Sequence, residues 1–131
     1  YSLGAADPNA LDEAISCFLA ISGNEAASAD LKELAKYRLG KCYERQGLTE
    51  AAVTAYSDVH YQYQMDAERG VVRNSLYFVR SSYDAARLLV LDGQFRQATR
   101  IYEVIGEMGL PMSNDARQRA TEIRSAHDLN E

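Results

Sequence analysis

Two histidines, two cysteines and 19 acidic residues are the side chains with which catalysis or metal binding would have to begin in this 131-residue chain. His60 and His127 stand far apart, and neither has a cysteine at metal-ligand spacing, so no zinc set is expected. Flanked by Tyr61 and Tyr63, His60 reads as a helix-surface residue. Cys17 and Cys42 fall on helices expected to be neighbours; they read as two semi-buried free thiols, with a disulfide as the alternative. The acidic residues alternate with basic ones, as on solvated helix faces. A Gly-x-Ser-x-Gly elbow, a phosphate loop and a dinucleotide glycine fingerprint are all missing. Ser113, Thr49 and Asp7 fall where helix N-caps belong. The expectation is a chain with no catalytic residue, no metal and no cofactor of its own, and hence not an enzyme.

The elements that would carry these residues are helices. Apolar residues make up 47% and prolines number only two, a globular composition rich in helix formers and long enough for one continuous core. A net charge of −5 argues against nucleic acid as partner, because phosphate binding calls for a basic face. No stretch reaches the roughly 18 consecutive apolar residues of a membrane span. The sequence opens at Tyr1 rather than Met and is expected to be part of a longer chain, so missing targeting signals carry no weight.

Tyr1 to Gly4 reads as the frayed end of a helix. A helix then starts at Asp7-Pro8, with Leu11, Ala14, Ile15 and Phe18 on one face and Gly23-Asn24 as its stop. The second is expected from Ala29 or Asp30 to Gln46, burying Leu31, Leu34, Ala35, Leu39, Cys42 and Tyr43 before a left-handed Gly47. Thr49 opens the third, with Ala52, Val53, Tyr56, Val59 and Tyr63 inside and no clean stop before Gly70. The fourth is placed from about Val71 to Leu91, with Val72, Leu76, Val79, Tyr83, Ala86, Leu89 and Val90 inward. After Asp92-Gly93, a fifth helix buries Phe95, Ala98, Ile101, Tyr102 and Ile105. A sixth, from Ser113, turns Ala116, Ala120 and Ile123, with Ala126 or His127, inward and its charges to water.

Three pairs of a small residue and an aromatic four positions later mark successive units: Ala14–Phe18, Ala52–Tyr56 and Ala98–Tyr102, spaced 38 and then 46 residues apart. Each follows a glycine-containing turn, at Gly4, Gly47 and Gly93. With Leu39-Gly40, Tyr43 and Gly47 ahead of Ala52 and Tyr56, the pattern resembles the tetratricopeptide repeat, W-x2-L-G-x2-Y…A-x3-F…P, from about Tyr1 to Gly109. Both spacings exceed the family period of about 34 residues. Lys36 and Ser82 stand in place of Trp, and Ala86 in place of the glycine. Long, irregular units of this kind are similar to those of bacterial envelope-associated tetratricopeptide proteins, which implies a bacterial chain and a periplasmic or envelope location, with the cytoplasm as alternative.

The resemblance implies an all-α fold, a right-handed superhelical stack of antiparallel helix pairs, as a single domain over 1–131. Its units would cover about 1–23, 29–65 and 71–109, closed by a capping helix at about 113–128. It also implies a non-catalytic scaffold that binds a partner peptide or domain in the concave groove lined by the first helix of each unit. Aligning Leu39-Gly40 with Ala85-Ala86 puts Tyr37, Lys41 and Arg45 of one unit beside Arg80, Tyr83 and Arg87 of the next, with Leu34, Glu44, Val90 and Leu91 on the same faces. A basic, tyrosine-lined groove implies a partner segment carrying carboxylates. The alternative is a structural module that stacks on further repeats or on another copy.

Overall fold

The computed structural model describes residues 8–127, which form six helices and, among the described residues, no strand. They are α1 (Pro8–Ser22), α2 (Ala29–Arg45), α3 (Thr49–Glu68), α4 (Leu76–Leu91), α5 (Phe95–Gly106) and α6 (Ser113–His127). The expected helix end at Tyr1–Gly4, the Gly4 turn and the Asp7 cap lie outside the described residues. No helix among the described residues is long and apolar enough to cross a membrane.

Two turns of one build fold the middle of the chain. Gly47 and Gly93 adopt φ of 76° and 79°, a left-handed conformation that a Cβ would strain. Beyond each, an amide reaches back to close the helix end: Leu48 N–H donates to the Tyr43 carbonyl at 2.9 Å, and Gln94 N–H to that of Leu89 at 2.8 Å. Only three residues separate the helices at each turn, so α3 folds back along α2 and α5 along α4.

Each helix packs on the next, and α2 also touches α4. Within neighbouring pairs the contacts run antiparallel: Gly40 meets Tyr56 while the earlier Lys36 pairs with the later Asp58, and His60 meets Ser82 while Tyr63 stacks on the earlier Phe78. Between α2 and α4 they run parallel, with Tyr37 on Tyr77, Lys41 on Asp84 and Glu44 on Arg87. The units α2–α3 and α4–α5 repeat each other at 46 residues, the offset of Tyr37 from Tyr83, Gly40 from Ala86 and Tyr56 from Tyr102. The paired rings repeat too: Tyr37 to Tyr56 at 6.0 Å and Tyr83 to Tyr102 at 5.2 Å.

Small residues let the helix backbones approach, and large ones fill the remaining gaps. Ala52, Ala85, Ala86, Ala98 and Ala116 are fully buried around Tyr56, Phe78 and Ile105. Burying a side chain of the size of Phe78 or Ile105 contributes roughly 1.5–3 kcal/mol. Tyr56 lies flat against Gly40, and a Cβ there would come within 2.6 Å of its Cδ1 and 2.8 Å of its Cζ.

Several expectations are corrected. α4 starts at Leu76, not Val71: residues 71–75 are non-helical, Val72 is exposed, and Asn74 Oδ1 accepts from Leu76 N–H at 2.8 Å. Leu31 and Leu76 are each 45% exposed rather than buried. Thr49 is the first residue of α3 and not its cap, whereas Ser28 Oγ caps α2 by accepting from Leu31 N–H. Ser113 Oγ ties the turn before its helix, donating to the Ile105 carbonyl and accepting from Leu110 N–H. Cys17 is exposed, Cys42 is buried, and both are free thiols.

His60 is the largest departure. It is buried, not on the surface, with its Nδ1 2.7 Å from Ser82 Oγ and its ring stacked on Phe78. A polar residue can sit inside when a buried hydroxyl answers it, and that pairing bridges two helices.

Substituting Gly40→Ala should cost about 1–3 kcal/mol in urea unfolding through overpacking, and Tyr56→Ala about 3–5 kcal/mol through the cavity it opens. Ala52→Glu, burying a charge, should unfold the middle of the chain. Combining Gly40→Ala with Tyr56→Leu should cost less than the sum of the single changes. Strict additivity would show that the two residues do not pack on each other.

Candidate functional site

The side of the molecule built from α2, α4 and α6 gathers most of the residues singled out from the sequence. Tyr37 is half-buried between Tyr56 and Tyr77, with ring centroids at 6.0 and 5.3 Å. Lys41 Nζ lies 5.4 Å above the Tyr37 ring and bonds Asp84 Oδ2 at 2.8 Å. Burial acts to lower the Lys41 pKa, but the bond and charge of Asp84, with Tyr37 and Glu44 beside it, together outweigh it and the net shift is upward. Arg87 reaches back from α4 to Glu44 Oε1 at 2.9 Å and also meets Asp84 Oδ1 at 3.2 Å. Tyr56 donates its hydroxyl to the same Glu44 oxygen at 2.6 Å. Burial and that bond to Glu44 push the Tyr56 phenol up, so it stays protonated and donates.

Tyr37, Lys41 and Arg87 thus join one network in which two cations face two carboxylates. At Lys41 and Arg87 the basic groove expected from the sequence is charge-paired, because Glu44 and Asp84 sit beside them. Arg45 and Arg80 are exposed, on α2 and α4 respectively.

Tyr83 belongs to a second group towards α6. It packs edge-on against Tyr102 and donates to Asp115 Oδ2 at 2.5 Å. Arg119 bonds the same oxygen at 2.8 Å and stands over the Tyr83 ring at 5.3 Å. The bonds from Tyr83 and Arg119 hold the Asp115 carboxyl below its ordinary range. Beyond it, a cavity of about 620 Å³ opens between α4 and α6, walled by Arg87, Val90, Leu91, Arg119, Ile123 and His127. Leu91 is 76% exposed there.

A third group was not anticipated. Arg73, on the connection between α3 and α4, has a side chain only 8% exposed and meets Asp30, Glu33 and Asp66 at 3.1, 3.1 and 2.9 Å. Asp30 is 43 residues away in the chain, so no local pattern could reveal the pairing. Burial drives the Glu33 pKa up to about 7, partly opposed by Arg73 and reinforced by Asp30 and Asp66. Burial alone lowers that of His60 to about 4, leaving a neutral imidazole on Ser82.

Set against family models, curated proteins and solved structures, this chain matches none. The reading of its function therefore rests on its own geometry. Among the described residues, no three His, Cys, Asp or Glu side chains come together in a way that could hold a metal ion.

The two shifted groups act on stability in opposite pH ranges. Glu33 holds a proton in the folded chain that the unfolded chain releases near 4.5, so its contribution is lost as pH rises through about 7. His60 is neutral when folded, so its contribution is lost as pH falls from about 6.5 through about 4. Glu33→Gln should remove the alkaline loss, on the order of 2 kcal/mol between pH 5 and pH 8. Parallel stability profiles for variant and wild type over that range would show that Glu33 does not titrate there.

Proposed function

We propose that this chain is a non-catalytic scaffold that docks a segment of another protein along the face of α2, α4 and α6. We further propose that its helix pairs form a right-handed superhelix of the tetratricopeptide type. In support, the α2–α3 unit repeats as α4–α5, and α2 and α4 run parallel on one side, as the first helices of stacked units would. The observation that carries the docking reading is the α4–α6 cavity, where Leu91, Val90 and Ile123 offer an apolar floor beside Tyr83, Arg87 and Arg119. Concave, mostly apolar surfaces with a few polar side chains are where ligands settle, and tyrosine and arginine dominate binding energy at interfaces.

Since Asp84 and Glu44 already engage Lys41 and Arg87, apolar anchoring rather than carboxylate recognition is the main attraction we assign to this end of the face. A second reading, self-association, is favoured by α1, which among the described residues packs on α2 alone and leaves Leu19 49% exposed. Sedimentation at rising concentration tests it: a size that grows supports a stacking module, and a constant monomer removes it.

Docking is tested by placing a photo-crosslinking amino acid at Leu91 or, on α3, at the exposed Thr54, then capturing partners from cell extract. Crosslinks at Leu91, and partner capture lost in a folded Leu91→Asp variant, are expected. Crosslinks from Thr54 alone, or equal capture by Leu91→Asp, would move the docking surface off this face.

A further inference from the structure

Where the N-terminal ends of α2 and α4 meet, the same face carries a second notch of about 370 Å³, walled by Asp30, Leu31, Glu33, Asn74, Leu76 and Tyr77. We propose that this notch receives a basic–apolar segment of the partner, a lysine or arginine beside a leucine-sized side chain. This inference rests on the reading of the α2–α4–α6 face as the docking face, and it names the chemistry of what docks.

Two observations carry it. The first is apolar surface left open: Leu31 and Leu76, each 45% exposed, stand on either side of the notch. The second is unbalanced charge. Behind the notch one guanidinium, Arg73, serves three carboxylates, Asp30, Glu33 and Asp66. Among the described residues that wall the notch there is no cation.

The sharing is incomplete at the level of single atoms. Glu33 has a side chain 7% exposed, and its Oε2 lies 3.1 Å from Arg73 yet receives no hydrogen bond. Burial keeps Glu33 protonated up to about pH 7, so the unbalanced charge is that of Asp30 and Asp66 against the single Arg73. Asp30 bonds Arg73 through Oδ1 while its side chain remains 78% exposed, so an incoming ammonium or guanidinium can reach it from solvent.

The stem of a lysine or arginine would lie over Leu31, Leu76 and the Tyr77 ring while its head meets Asp30. An acidic segment would meet like charge and be repelled. This end of the face therefore inverts the carboxylate-bearing partner expected from the sequence. The chain's net charge of −5 steers encounter in the same direction.

The test selects binders to the full chain from a random-peptide display library, then measures them against three variants checked for folding by circular dichroism: Asp30→Asn, Asp30→Asn with Leu76→Ser, and Leu91→Asp. Enriched peptides should pair Lys or Arg with Leu, Met or Phe. They should lose about tenfold or more in affinity on the double variant. They should also weaken between about 0.05 and about 0.5 M salt. Should the double variant not fold, Asp30→Asn alone should still weaken binding and flatten the salt dependence. Peptides enriched in Asp or Glu, or peptides indifferent to Asp30 and Leu76, would overturn the inference. If such peptides depend instead on Leu91, the face still docks a partner and only the basic–apolar assignment fails. If no peptide depends on any of these positions, both readings fail.

Discussion

The contact on which the rest depends is the ring of Tyr56 lying against the bare backbone of Gly40. It brings α2 and α3 closer than any Cβ would allow, and it is fully shielded from water. The same side chain then extends outward and gives its hydroxyl to Glu44, the carboxylate that receives Arg87 from α4. One residue thus joins the packing of a helix pair to the polar bonds that set the next pair beside it. One unit on, Tyr83, the counterpart of Tyr37, packs against Tyr102 on the inside and bonds Asp115 of α6 on the outside.

Electrostatics along this face follow from that construction. Side chains that hold α2 to α4 must pair with one another, so Lys41 and Arg87 spend their charge on Asp84 and Glu44. Hot-spot residue types are present, but the charges of Lys41 and Arg87 are already engaged. The connection from α3 to α4 is held differently, by a single buried arginine that meets Asp30, Glu33 and Asp66. Asp66 closes one end of α3 onto Arg73, and Tyr63 bonds the Arg73 carbonyl, so the non-helical segment is tied down despite its exposed Val71 and Val72.

Much of the fold was legible because helical periodicity and turn chemistry are local. Leu39, Cys42, Ala52, Tyr56, Val59, Ala98, Ile101, Tyr102, Ile105, Ala116 and Ala120 are buried as their spacing required. Gly47 and Gly93 end their helices as left-handed residues. The misreadings share a cause. His60 reads as a surface residue in the sequence because nothing local announces that Ser82, on the next helix, will bond it inside. Nor does local spacing mark Phe78 as the centre of the stack on which His60 and Tyr63 lie. Val71 and Val72 read as a helix start because they are apolar, yet Gly70 in a left-handed turn and the Asn74 side chain, which accepts from Leu76 N–H, place that start at Leu76.

By itself, then, the sequence determined the all-helical class, the positions of the tight turns and the small–large pairs that let the helices pack. Each of these is set by residues within a turn or two of one another. Tertiary structure alone decided which charges remain available. Lys41 and Asp84, Glu44 and Arg87, and Arg73 and its three carboxylates lie on different elements, and ion pairing depends on distance in space. Two of the cations in the linear pattern, Lys41 and Arg87, became paired ones, and a notch walled by Asp30 and Glu33 appeared where the sequence showed only scattered carboxylates.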